Sequence, residues 1–470
     1  MNRMMQTCVA GACVAVSLWA TACNAQEVTG PSGLEQGRPQ DTATAWQPQE
    51  FLLSAYNPPF AWHGPPYEDS VFTYYKDANF DNLLWVRDDD ALMQKVHEHG
   101  FTYFLDVGRL IGEDVLRGSP DGDPPGITEE MLQDLDAAIA KYRDDPDLIG
   151  YYLCDEPFPS GFQNIATVVQ RIRQQDPARV SFVNLWPYFE NEIGDDAYIE
   201  DFIQTVQPEV VCSDRYNFFG DAEGNTWDEN DEYFAQLERL RRHALLHGIP
   251  FCNIIQAVGT VGTSVGYPEC EENGADECLE WRTPNSAEHR WLVYSSLAYG
   301  VHGIIWFHWD HEWGVTGNPD RDIIYPSIQS LNGEIAVLKD IMLHLTTTQV
   351  YHTDDPNSAG AGDGYVEVAG DAGLVVGLFE DEEGNEDYFM IMNKDYAQPV
   401  DPVITINAIL DGVQVFNVET NQWEDVPFEP EASGVSISAH LREGGGKLFR
   451  IDRCVQWSRV FGVVPGPAPR

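Results

Sequence analysis

The segment LIGYYLCDEP places two carboxylates, Asp155 and Glu156, at the end of an apolar run that begins at Leu148. A carboxyl group at the mouth of a buried strand can hold its proton near neutral pH, which is what a general acid needs. Other apolar runs end in polar groups too. FTYFLDV carries Asp106, VSFVNLW carries Asn184 and Trp186, and EVVCSDRY carries Asp214 and Tyr216. PFCNIIQ ends in Gln256, and GIIWFHWDHEW supplies His308, Trp309, Asp310, Glu312 and Trp313. Trp62 and His63 follow the first run, FLLSAY. Two residue types recur in this inventory, carboxylates and large aromatic rings. Glycosidic cleavage requires paired carboxylates: one donates a proton to the leaving oxygen, and the other stays charged to attack or to stabilise an oxocarbenium-like state. Flat aromatic faces suit the C–H surface of a sugar ring, while Asn, Gln and Tyr suit its hydroxyls.

Any one of these acids alone also reads as a solvated or helix-capping carboxylate. Their recurrence in strand order carries the expectation. Glu156 is expected to be the proton donor and Asp214 the nucleophile or base. Asp155, Tyr216, Asn184 and Gln256 would position substrate. Trp62, His63, Asp106, Trp186, His308, Trp309, Asp310 and Glu312 complete the candidate substrate-binding set. No metal or cofactor is expected, because no C-x-x-C pair or His/Cys spacing suggests zinc. Ser/His/Asp hydrolysis lacks its G-x-S-x-G elbow.

Convergence of these groups needs a scaffold. Eight apolar runs, starting near Phe51, Asp81, Phe101, Leu148, Val180, Glu209, Pro250 and Gly303, alternate with segments of helical period. Helices are expected at Asp89–His99, Thr128–Arg143, Ile165–Gln175, Glu232–His247, Ser286–Tyr299 and Ile328–His344. Gly100 and Gly248 stand where helix C-terminal caps belong. Eight such units predict an α/β fold, a (β/α)₈ TIM barrel over 49–347, with reacting groups at the C-terminal strand ends. The runner-up, an open doubly wound sheet, lacks a Gly-rich nucleotide fingerprint after its first strand. Beyond Thr346 short alternating strands with turns such as Glu383-Gly384-Asn385 predict a small all-β sandwich over 348–455, followed by a tail over 456–470.

IGYYLCDEP resembles strand 4 of the clan A glycoside hydrolases, whose acid/base Glu sits at that strand's end, usually as Asn-Glu. VVCSDRYNFF resembles their strand 6, where a Tyr often orients the nucleophile. RTPNSAEHRWLVYSSLAYGVHGIIWFHWD is similar to the strand 7 to strand 8 region of β-galactosidase-like barrels, and the following β-sandwich looks like the accessory domain of such enzymes. The resemblance spans most of 50–453 and implies Glu156 as acid. Two departures stand out. The clan's nucleophile is a Glu at the end of strand 7, where this chain has Gln256, and an amide cannot attack an anomeric carbon. Asp155 stands where the clan has Asn, and the Asp-Glu pair resembles substrate-assisted hexosaminidases instead. The second carboxylate is therefore open, with Asp214 ahead of Asp310 and Glu312.

The formal charge is −49, from 76 acidic against 27 basic residues. Such a surface repels nucleic acid and anionic membranes. Residues 1–25 read as a signal peptide, with Arg3 before a short apolar stretch and Ala20-Thr21-Ala22-Cys23-Asn24-Ala25 as the cleavage region. Cleavage after Ala25 would release a secreted or periplasmic protein. Cleavage after Ala22 would leave Cys23 as a lipid anchor, giving an outer-membrane lipoprotein. Residues 26–48 form a polar linker, and Cys270 and Cys278 are placed for a local disulfide. The partner expected is a carbohydrate. The rivals are a degenerate carbohydrate-binding barrel and a polysaccharide lyase using Tyr216 or His308 as base.

Overall fold

The structure, a computed structural model, describes residues 48–453 apart from 62–63, 121, 123, 188–194, 222–223, 262–279, 311–312, 356–364, 371 and 386. The signal segment, Cys23, most of the linker, Cys270, Cys278 and the tail lie outside the described residues, as do Trp62, His63 and Glu312.

All eight expected runs form parallel strands: β1 (Leu52–Ala55), β2 (Asn82–Val86), β3 (Thr102–Asp106), β4 (Leu148–Asp155), β5 (Val180–Leu185), β6 (Val211–Asp214), β7 (Phe251–Gln256) and β8 (Gly303–Phe307). They are ordered β1-β8-β7-β6-β5-β4-β3-β2. Strands buried on both faces have no polar face to alternate, so they read as continuous apolar runs. The seam between β1 and β2 is closed by a side chain. Asn82, fully buried, accepts from the Leu53 N–H at 2.6 Å and donates to Thr102 Oγ1 at 2.6 Å. The Asp81 N–H donates to the Leu53 carbonyl at 3.2 Å. Leu52, Tyr56, Leu84, Phe104, Tyr152, Phe182, Cys212, Cys252, Ile254 and Ile305 fill the barrel interior, leaving a packed core and no pore.

The helices are α1 (Asp69–Asp77), α2 (Asp90–Glu98), α3 (Gly108–Ile111), α4 (Glu113–Arg117), α5 (Glu129–Tyr142), α6 (Phe162–Gln175), α7 (Asp195–Val206), α8 (Asn230–His247), α9 (Ser286–Tyr299) and α10 (Arg321–Met342). The capping rules hold where the sequence announces them. Asp89 accepts from Ala91 N and Leu92 N, and Gly248 ends α8 with φ +66°. Helices α1, α3, α4 and α7 are additions to the expected set, and α10 begins early; two of these differences have local causes. Helix α10 starts seven residues before Ile328 and runs through Pro326, because Ile324 and Ile328 are buried there. Helix α7, whose period is carried by Tyr198, Ile199, Phe202, Ile203 and Val206, follows a strongly acidic stretch that disguises it.

A sandwich follows α10 directly. Strands β9 (Thr346–His352), β10 (Val366–Ala369), β11 (Leu374–Glu380), β12 (Tyr388–Asn393), β13 (Val403–Ile406), β14 (Leu410–Asn417), β15 (Gln422–Asp425), β16 (Phe428–Pro430), β17 (Val435–Ser438) and β18 (Gly446–Arg453) make two antiparallel sheets. Their orders are β9-β11-β12-β18-β14-β15 and β10-β13-β17-β16. The larger sheet packs on α9. A Cβ at Gly377 of β11 would lie 2.1 Å from the Ala298 carbonyl oxygen, so glycine is needed there for close approach. Helix α9 is thus covered by the barrel on one side and the sheet on the other. That explains why Trp291 to Tyr299 are all buried. Among the described residues no helix is long and apolar enough to cross a membrane.

Candidate active site

The chain leaves β4 through a backbone reversal. Glu156 has φ +46°, a left-handed conformation uncommon for a residue with a side chain. Its N–H still donates to the Asn184 carbonyl of β5 at 2.9 Å, holding the turn against the sheet. In an extended strand Asp155 and Glu156 would face opposite sides. The reversal breaks that alternation and lets both side chains serve the barrel mouth.

Asn184 joins the strand ends. It is only 2% exposed, and its amide nitrogen donates to Asp155 Oδ1 at 3.0 Å and to Asp214 Oδ1 at 3.1 Å. Tyr56 at the end of β1 adds a second donor to Asp155 Oδ1 at 3.0 Å. Tyr216 donates to Asp214 Oδ2 at 2.7 Å. Arg117, from the end of α4, reaches Glu156 Oε2 at 3.4 Å and its carbonyl at 3.3 Å. The carboxyls of β4 and β6 therefore share one buried mouth.

The electrostatics separate them. Burial pushes the Glu156 carboxyl up to about 8; the charges of Asp214 and Asp155 add to the rise and Arg117 opposes it. Burial and the charge of Asp155 raise Asp214 to about 7, against the hydrogen bonds from Tyr216 and Asn184. Burial also raises Asp155, opposed by Asn184 and Tyr56. Three carboxyls so close cannot all be charged near neutral pH. Among the described residues, Asp214 has two good donors and Glu156 only a long contact with Arg117. The shared proton therefore belongs on Glu156, leaving Asp214 as the charged partner.

Aromatic rings flank this group. Tyr216 stands edge-on to Trp281, with centroids 4.6 Å apart, and tilts over Phe307 at 5.0 Å. Phe307 lies 5.8 Å from Trp313, and Trp186 packs on Phe158 at 5.4 Å. Trp186, Trp281, Phe307 and Trp313 each keep part of their surface exposed. Such partly open rings beside carboxyls are suited to stack against a sugar.

A family 42 β-galactosidase of G. stearothermophilus matches 87% of this chain and 99% of its own, with TM-score 0.55 at 8% identity. An α-L-fucosidase isoenzyme of Paenibacillus thiaminolyticus matches 88% of this chain and 100% of its own, with TM-score 0.50 at 10% identity. The fold is that of glycoside hydrolases. No protein-family model matches the sequence, and no curated protein matches it either.

Several candidates of the glycosidase-like barrel take other places. Trp309 is 1% exposed and packs against Tyr75 and Phe80 at 5.1 and 5.2 Å, so it is core and no sugar platform. Gln256, also 1% exposed, is committed to the backbone. Its carbonyl accepts from Asn217 N and Phe218 N, and its amide donates to the carbonyls of Phe218, Val258 and Arg282. It braces the loops after β6 and β7 and has no donor left for substrate. His308 is fully buried, with Nδ1 3.1 Å from Asn57 Nδ2 and its ring against Trp313. Asp310 accepts from Thr316 Oγ1 at 2.9 Å, and Asp106 pairs with Arg109 at 2.7 Å. Both of these partners are close in sequence. Arg117, Trp281 and Phe307 are additions that strand-end reasoning missed. Arg117 and Trp281 come from long connections, and Phe307 reads as strand core. Cys154, Cys212 and Cys252 are free and buried.

Proposed function

We propose that the protein is an exported glycoside hydrolase acting on a neutral or weakly charged oligosaccharide or polysaccharide. The observation that carries this reading is the Asn184 link between Asp155 and Asp214, with a proton-holding Glu156 beside them. Glu156 gives its proton to the glycosidic oxygen as the C–O bond breaks. Asp214, whose charged form the hydrogen bonds from Tyr216 and Asn184 favour, either attacks the anomeric carbon or takes a proton from the attacking water. Asp155, fixed by Tyr56 and Asn184, positions the sugar rather than reacting. Trp186, Trp281 and Trp313 offer ring faces. The acidic surface disfavours strongly anionic polymers. The N-terminal signal supports release outside the cytoplasm, and mass spectrometry of the mature N-terminus separates cleavage after Ala25 from lipidation at Cys23.

A panel of plant and marine polysaccharides, read by new reducing ends, tests the assignment. Glu156→Gln should lower kcat by about 10²- to 10⁴-fold, with a smaller loss on substrates whose leaving group needs no proton. Unchanged turnover in that variant would remove Glu156 from the mechanism. Azide rescue of Asp214→Gly would mark Asp214 as nucleophile, and absence of rescue as base. A product absorbing as an unsaturated uronate would favour the lyase reading. A wild-type chain that binds sugar without cleaving it would favour the degenerate one.

A further inference from the structure

Away from the strand ends, two helices of the outer ring bring together a second chemical group. His243 and His247 stand one turn apart on α8, and Asp196 and Glu200 one turn apart on α7. Residues four apart lie on one helix face. Glu200 Oε2 lies 3.0 Å from His243 Nδ1 and 3.0 Å from His247 Nε2. One ligand atom from each of Glu200, His243 and His247 falls within 4.8 Å of the other two. The second nitrogen of His243, Nε2, lies 3.1 Å from Asp196 Oδ1, and Arg242 pairs with that same Asp196 oxygen.

Two features separate this group from an ordinary cluster of surface ion pairs. The first is burial: His243 is 4% exposed, yet both of its nitrogens face carboxylate oxygens, Nδ1 that of Glu200 and Nε2 that of Asp196. The second feature is the order of partners. A carboxylate on the far nitrogen of a histidine whose near nitrogen faces another ligand is the usual support of a metal-bound imidazole. Spacing agrees as well. Bonds of about 2.0–2.1 Å to a first-row ion leave neighbouring ligand atoms about 3.0–3.4 Å apart.

We propose that Glu200, His243 and His247 bind a divalent transition-metal ion of the zinc class, with Asp196 orienting His243, and that the ion ties α7 to α8. Two imidazoles favour zinc, nickel or copper over calcium or magnesium, which take oxygen ligands. Three protein ligands leave one position of a tetrahedral ion to water. The pair is present in the sequence as His-x-x-x-His, but its carboxylates come from a different helix and are recognisable only once the barrel has formed.

The test uses the full chain, stripped with chelator and titrated with Zn²⁺ by calorimetry, with thermal unfolding alongside. One equivalent of Zn²⁺ should bind, raise Tm, and not be displaced by excess Ca²⁺. His247→Gln and Glu200→Gln should each abolish that equivalent and the Tm rise. Asp196→Asn should weaken binding by about 10- to 100-fold. Cobalt substitution should give a spectrum of nitrogen and oxygen ligation without thiolate charge transfer. The proposal is overturned by absence of a stoichiometric site in the wild-type chain, or by Zn²⁺ binding equally to the wild type and both glutamine variants.

Discussion

Asn184 is the residue on which the geometry of the mouth turns. A single amide nitrogen serves Asp155 and Asp214, which sit on different strands. Those hydrogen bonds favour the charged forms, so they oppose the rise that burial imposes on both carboxyls. Asn184→Ala should therefore raise both further and move the acidic limb of the pH–rate profile to higher pH. Hydrogen bonds to charged groups contribute about 1.5–3 kcal/mol each, so kcat should fall about 10- to 100-fold. Rate measurements from pH 4 to 9 on wild type and variant check this. An unmoved acidic limb would mean that Asn184 only packs.

The connections decide what the strand ends can do. Gln256 stands at the end of β7, where the resemblance to clan A glycoside hydrolases would place a carboxylate, yet its five hydrogen bonds go to the backbone of the loops after β6 and β7. Those loops carry Tyr216 and Trp281. Gln256→Glu would keep the acceptor for Asn217 and Phe218 but turn a donor into an oxygen facing three carbonyls. The expected result is a loss of about 1–3 kcal/mol of stability in urea unfolding, with no gain in hydrolysis. A stable variant with higher turnover would show that the end of β7 is reactive after all. The φ of +46° at Glu156 is likewise a property of the connection, since nothing in the strand itself requires it.

At the scale of the molecule, one apolar core runs from the barrel helices into the larger sheet of the sandwich, through Trp291, Leu297, Val375, Phe379 and Met390. The buried acids of the mouth and the formal charge of −49 both work against this core as pH rises. Glu156 and Asp214 hold their protons more tightly folded than unfolded. Their contribution to stability is full below the unfolded carboxyl range, about pH 4. It is lost as pH rises through about 7 to 8, where the folded carboxyls ionise. Glu156→Gln removes one such group, so its Tm should match the wild type near pH 4 and exceed it near pH 9. Added salt should raise the Tm of both by screening the surface. Parallel thermal scans across pH and salt check both signs; a variant less stable than wild type at pH 9 would contradict the first.

Periodicity and strand-end position were enough to place the eight barrel strands, the sandwich beyond Thr346, and Glu156, Asp214, Asp155, Asn184 and Tyr216. Each of these depends on local pattern plus the rule that a barrel gathers its reacting groups at one end. Trp309 and Gln256 share that position, and their types suggested substrate contact. Their packing decided otherwise, because a strand-end side chain can turn into the core or onto the backbone as readily as towards solvent. Arg117, at the end of the short helix α4, and Trp281 reach the site from the long connections after β3 and β7, which the strand pattern does not mark. Chain order set which residues stand at the barrel mouth. Only the tertiary structure determined which of their side chains meet, since a shared proton or a bridging amide depends on distances between strands far apart in sequence.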